Sequence, residues 1–217
     1  MATVEAAEPI DVWERRRILV SLRIERAGLQ LLHERGLDRV TVEQIANQAG
    51  ISTRTFFRYF RNPRDILNAV PRREAHRMCQ ALLEGPADES LLDGFHAWFG
   101  ETDHGRDLSS PTGRLEAESL VFWSGIVHAA PDVVQFESRA ISVLSAELEE
   151  VLRQRLAFGP DDDEKVGVLT AAFSAVIWYV YTRSLSEGPP GLLQRLDQAF
   201  ELLGQLVSAG SALTTSR

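Results

Sequence analysis

The stretch TVEQIANQAGISTRTFFRYF, Thr41 to Phe60, decides how this chain is read. Thr41 precedes a run with Val42, Ile45, Ala46 and Ala49 at helical spacing, so its hydroxyl suits a helix cap. Ala46 is small where two helices should cross. Gly50 follows the last periodic residue, the place where a left-handed backbone costs least in glycine. Ile51 then points inward, and Ser52 can cap a second helix over Thr53–Phe60. Phe56 and Phe60 fall four apart on the inner side. Thr53, Arg54, Thr55, Arg58 and Tyr59 are left to the outer face or the rim. Two helices joined by a short turn containing Gly form a helix-turn-helix, whose second helix enters the DNA major groove.

A helix-glycine-helix corner also occurs in helical proteins that never touch DNA, so the flanks matter. Upstream, Trp13 to Arg35 has a helical pattern with apolar residues at Ile18, Leu22, Ala27, Leu29, Leu31 and Leu32. Downstream, Asn62-Pro63 opens another helix, followed by Ile66, Leu67 and Val70.

With these residues in view, the chain resembles the tetracycline-repressor (TetR) family of bacterial transcription regulators. ERG at 34–36, TVEQIANQAGIS at 41–52, TFFRYF at 55–60 and DIL at 65–67 carry the resemblance, across about Arg15 to Val70. Two positions depart from the family pattern. Phe57 stands where a Tyr is usual, and Pro63 where a phosphate-contacting Lys is frequent; Arg64 is the expected replacement for that Lys.

Charge divides the chain in the same way. Residues 1–77 hold 14 Arg and 10 acidic residues, a balance of +4, and residues 78–217 hold 9 Lys+Arg and 21 acidic residues, a balance of −12. A basic head on an acidic body fits a DNA-binding module joined to a different module. The 217 residues, 44% hydrophobic, suffice for one substantial core plus a small domain. The one cysteine, Cys79, rules out an internal disulfide framework and Cys-based zinc sites. It reads as a small apolar core residue. Met1 to Asp11 carries no signal-sequence pattern, and no apolar run reaches the ~18–20 residues of a membrane span. The expected location is the bacterial cytoplasm, with nucleoid association when bound to DNA.

Beyond Val70 the pattern is helical. Pro71 predicts a kink or restart in a helix that continues to about Glu84. A helix beginning at Asp88 or Ser90 carries Leu91, Leu92, Phe95, Trp98 and Phe99, and Thr102–Gly113 is the longest loop. Helices follow over about Arg114–Ala129, Pro131–Phe158, Asp162–Glu187 and Pro190–Ala209. The expected fold is therefore all-α, with about nine helices. Residues 1–12 form a tail, 13–70 a three-helix DNA-binding domain with its motif at 41–60, 71–209 a ligand-binding and dimerisation domain, and 210–217 a frayed end.

Val166 to Val180 is apolar nearly all round, and the last helix carries two apolar stripes. One chain does not easily cover both. A homodimer joined through a four-helix bundle would, with Leu169, Phe173, Val176, Ile177, Leu196, Phe200 and Leu203 as interface candidates. The resemblance implies the same dimer. Two recognition helices would then read half-sites of a palindromic operator in double-stranded DNA about one helical turn apart. Arg54 is the candidate base reader, through guanine O6 and N7, while Thr53 and Thr55 suit a thymine methyl or a phosphate. Thr41, Ser52, Tyr59 and Arg64 are candidate phosphate clamps; Phe57 and Arg58 complete the DNA-facing set, and Arg15–Arg17 are possible backbone contacts.

The resemblance further implies a repressor released by a small ligand held in the body. The aromatic content there suggests a hydrophobic or acyl-chain-like effector. Phe95, His96, Phe99, Phe122, Trp123, Phe136, Arg139, Phe173 and Trp178 are the candidate pocket residues. An activator without a ligand, or a helical ligand-binding or scaffolding protein with a non-functional head, are the alternatives. Motifs of catalysis are missing: there is no G-x-S-x-G, no phosphate-binding glycine loop and no H-E-x-x-H. Asp161–Glu164 resembles a metal cluster but lies at a helix start, where carboxylates favour the positive helix end. Neither a cofactor nor a metal is expected.

Overall fold

The computed structural model describes residues 11–101, 104–130, 138–187, 194–202 and 205; for 138–141, 143, 181–182 and 184–187 only the backbone is described. Every regular element among these residues is helical. The chain divides into two compact units, one formed by residues up to Leu67 together with Arg106–Trp123, the other by Asn68–Gly105 and the residues from Ser124 onward.

In the first unit, α1 (Val12–Arg35) buries Leu22, Ile24, Ala27, Leu29, Leu31 and Leu32. It packs on α2 (Val42–Ala49), which packs in turn on α3 (Thr53–Tyr59). A 3-10 helix, Pro63–Asn68, adds Ile66 and Leu67 to the same core. Gly28 makes this packing possible: a Cβ there would overlap Ile66 Cδ1 and touch Ile45. The first part of α6 (Pro111–Ala129) belongs to this unit too. Its Trp123 is buried and donates Nε1–H to the Leu67 carbonyl at 2.9 Å.

In the second unit, α4 (Ala69–Glu84) packs against α5 (Leu91–Gly100) and α7 (Ser138–Arg155), and α7 packs against α8 (Asp163–Glu187). A last helix, α9 (194–202), contributes Leu196. Met78, Cys79, Leu82, Phe95, Leu148, Val151, Leu152, Ile177, Val180 and Leu196 form the core. Arg155 ties the turn between α4 and α5, donating to the carbonyls of Gly85 (3.0 Å), Pro86 (2.8 Å) and Glu89 (2.6 Å).

Several boundaries differ from the sequence reading, each for a local reason. The break expected at Pro71 falls earlier, between the 3-10 helix and Ala69, so Pro71 sits in the first turn of α4. The N–H groups of a first turn have no intrahelical partner, and a proline there loses nothing. Helix α6 begins at Pro111, three residues before Arg114, because Ser110 Oγ accepts from Gly113 N–H at 3.0 Å and Pro111 is pre-set for a first helical position. Helix α7 stops at Arg155 and not at Phe158: Ala157 turns left-handed (φ 53°) and Phe158 N–H reaches back to the Arg153 carbonyl at 3.1 Å. The expected start of that helix, from Pro131, falls partly outside the described residues, as do the tails at 1–10 and 210–217.

Helix α8 is apolar nearly all round, yet its sides are unequal. Ile177 and Val180 are in the core, and Leu169, Phe173, Val176 and Phe200 pack against it. The opposite side exposes Gly167, Val168, Ala171, Ala175 and Tyr179. The interface candidates Leu169, Phe173, Val176, Ile177, Leu196 and Phe200 are thus turned toward their own core, and Leu203 lies outside the described residues.

Candidate nucleic-acid interface

The corner between α2 and α3 is held by short-range bonds. Thr41 Oγ1 accepts from Gln44 N–H at 3.3 Å, while Gln44 Oε1 accepts from Thr41 N–H at 3.1 Å, a reciprocal capping box. Gly50 adopts φ 68° and ψ 38°, which lets Ile51 N–H reach the Ala46 carbonyl at 2.9 Å. Ser52 Oγ accepts from Thr55 N–H at 3.1 Å and lies 2.9 Å from Thr55 Oγ1. Each cap contributes about 1 kcal/mol to an α-helix too short to persist alone. Phe56 then locks α3 from beneath: it is fully buried, with Phe60 at 5.9 Å between ring centroids.

That anchoring fixes what α3 displays. Thr53, Arg54, Phe57 and Arg58 are exposed, with Thr55 and Tyr59 half-buried at the rim. Arg54, Thr55, Phe57 and Arg58 line one shallow concavity. The Arg58 guanidinium sits 5.1 Å from the centre of the Tyr59 ring and donates to its hydroxyl at 3.3 Å. A second, larger groove runs between the start of α1 and the end of α3, lined by Trp13, Arg16, Arg17, Ser21, Arg58 and Tyr59 among others. Trp13 and Ser21 were missed in the sequence; an exposed Trp beside three consecutive Arg was the available signal.

Several of the polar candidates already have partners. The Thr41 hydroxyl serves the cap, and together with a backbone N–H it holds the Glu43 carboxyl below its ordinary range, the backbone bond being the larger cause. Ser52 is engaged with Thr55. Arg64 Nη2 lies 2.6 Å from Asp38 Oδ1, both exposed. Arg61 grips Asp65, whose own N–H is held by Asn62 Oδ1 at 3.0 Å.

The effector candidates divide between the two units. Phe122 and Trp123 belong to the first, where Phe122 stacks near His33 (6.0 Å) and under Arg26 (5.9 Å). Within the second, Phe95, Phe173 and Phe200 form an aromatic cluster, with Phe173 and Phe200 centroids 4.8 Å apart. His96 Nε2 lies 2.6 Å from Asp197 Oδ1. Phe99 and Trp178 reach a cavity of about 50 Å³ that is also lined by Pro71, Glu74, Met78, Trp98, Leu144 and Ile177. Phe136 and the side chain of Arg139 lie outside the described residues. Met78 and Leu144 carried no sequence signal beyond core periodicity, since only the packing of α4 on α7 brings them together.

Residues 24–70 match a family described as "Bacterial regulatory proteins, tetR family". A relative, the "HTH-type transcriptional regulator TcmR" of Streptomyces glaucescens, is 26% identical over 155 residues. That similarity covers 70% of this chain and 66% of the relative, a little under two thirds of its length. Among the described residues no helix is long and apolar enough to cross a membrane.

Proposed function

We propose, for a chain that belongs to the TetR family of bacterial transcription regulators, that it is a homodimeric repressor released from a palindromic operator by a small hydrophobic effector. The observation that carries this reading is α3: a helix capped at its start, pinned by buried Phe56, and presenting two Arg on one exposed face. Arg54 is the base reader, since a guanidinium can donate two parallel hydrogen bonds to a guanine edge. Arg58, Tyr59 and the groove residues Arg16 and Arg17 seat the sugar-phosphate backbone, and Thr41, Ser52, Thr53, Thr55 and Arg64 add polar contacts at the margin. In this assignment residues 13–70 form the DNA-binding domain and 71–209 the effector and dimerisation domain.

Dimerisation uses the side of α8 that its own core leaves uncovered. Val168 is 66% and Tyr179 54% exposed on a face otherwise made of Gly167, Ala171 and Ala175, small enough for close helix approach. The candidates Leu169, Phe173, Val176, Ile177, Leu196 and Phe200 support that seam from within. The effector enters at the cavity beside Met78, Trp98 and Leu144. About 50 Å³ is well below the ~300 Å³ of an ordinary ligand pocket, so an effector of ordinary size must displace side chains that line it. That requirement supplies a mechanism for release: the effector favours a second arrangement by its greater affinity for it.

Selection from random duplex DNA at two salt concentrations tests the reading. The expected result is an enriched near-palindrome with half-sites about 34–36 Å apart. Uniformly weak, salt-sensitive binding without enrichment would refute it. For the effector, a hydrophobic compound at 100 times its dissociation constant should add ~2.7 kcal/mol of stability in a thermal-shift screen.

A further inference from the structure

Phe57 is the one large apolar side chain that α3 displays, and it is 58% exposed. It stands edge-on to buried Phe56, with ring centroids 5.5 Å apart and planes at 89°. Around it Arg54, Thr55 and Arg58 complete the concavity on the outer face. Arg54 and Phe57 are three apart on the helix, hence neighbours on that face. A phenyl ring has no donor for a phosphate oxygen, so its direct gain from DNA comes from meeting another apolar group. The major groove offers one such group on the base edges, the C5-methyl of thymine.

From this we infer that Phe57 is a specificity-determining residue: it covers the methyl of a thymine one or two base steps from the guanine read by Arg54, once in each half-site. The inference rests on the proposed DNA-binding role of α3. It gives a function to the position where the hydroxyl of the usual Tyr is missing. The phenyl ring, in place of a phosphate contact, reads sequence.

The test uses the full chain and its selected operator. Each thymine is replaced singly by uracil, which removes only the methyl, and affinities are measured for wild type, Phe57→Ala and Phe57→Tyr. One thymine per half-site should lose about fourfold in wild type, the worth of one methyl taken from water. The same uracil should cost nothing in Phe57→Ala, while Phe57→Tyr, which keeps the ring, should retain the penalty. Equal penalties in wild type and Phe57→Ala, or no thymine with a penalty, overturn the methyl-reading role and leave the regulator reading intact. Failure of wild type to enrich any operator overturns both.

Discussion

Replacing Asp38 by Asn should tighten DNA binding, although Asp38 itself faces no DNA in the proposed role. Its carboxylate lies 2.6 Å from Arg64, with 85% and 60% of the two side chains exposed. An exposed pair of this kind contributes at most about 1 kcal/mol to folding, so Asp38→Asn should shift stability by no more than that. Binding is affected twice. Arg64 must leave Asp38 to reach a phosphate, which forfeits up to that same ~1 kcal/mol. The carboxylate also repels the backbone, by about 0.5 kcal/mol for a phosphate ~8 Å away in water before salt screening. After salt screening these give ~0.5 kcal/mol per half-site, hence ~1 kcal/mol for a dimer on both half-sites, or about fivefold in operator affinity. The dependence of log affinity on log salt should steepen by up to ~1.8 as one further cation in each half-site engages a phosphate. Fluorescence anisotropy with the selected operator at four salt concentrations would measure both. The decisive control is Arg64→Ala: in that background Asp38→Asn should yield only the small repulsion term with no change of slope. A full fivefold gain without Arg64 would refute the restraint of Arg64 by Asp38, as would no gain with Arg64 present.

Arg54→Ala should cost about 1–3 kcal/mol of operator affinity and relax preference at one position per half-site, checked by repeating the selection with the variant. Cys79 is buried, and that burial, reinforced by the negative charge of Glu147, pushes its thiol up to about 12. The native thiol should therefore react with a thiolate-specific reagent at pH 8 at least roughly a thousandfold more slowly than the unfolded chain does. The sign for stability follows: between about pH 9 and 12 the folded state keeps a proton that the unfolded state loses. Denaturant midpoints should fall as pH rises through that window by a slope that Cys79→Ala removes. Ala157 holds a left-handed backbone at φ 53°, so Ala157→Gly should raise stability by roughly 0.5–1 kcal/mol after the extra freedom of glycine in the unfolded chain is counted. Thermal unfolding would read this as a shift of about 2 °C.

The helix-turn-helix was legible because what builds it lies within a few residues. Thr41, Gly50 and Ser52 each act on a partner no more than five positions away, and those rules are visible in sequence. The rest depends on distance along the chain. Trp123, read from sequence as a pocket candidate, donates to Leu67, 56 residues earlier, a partner that no local pattern indicates. Helix α8 showed that it was apolar on more than one side, but which side met its own core depends on how α7 packs, and no periodicity encodes that. The charge at Arg64 was legible; its engagement by Asp38, 26 residues away, was not. Ala157 violates the preference for glycine in a left-handed turn, so a pattern search for a helix end passes over it.

Arg155 has a consequence for how this chain can drift over generations. It holds the 85–89 turn entirely through main-chain carbonyls, which every amino acid supplies alike. Side chains at Ala87 and Asp88 are thus released from any duty in shaping the turn and can change with little penalty. The constraint is moved onto one distant position, where even lysine, with a single nitrogen in place of a planar fork, cannot span the same three oxygens. A permissive surface stretch and a demanding position 66 to 70 residues away are two sides of one arrangement.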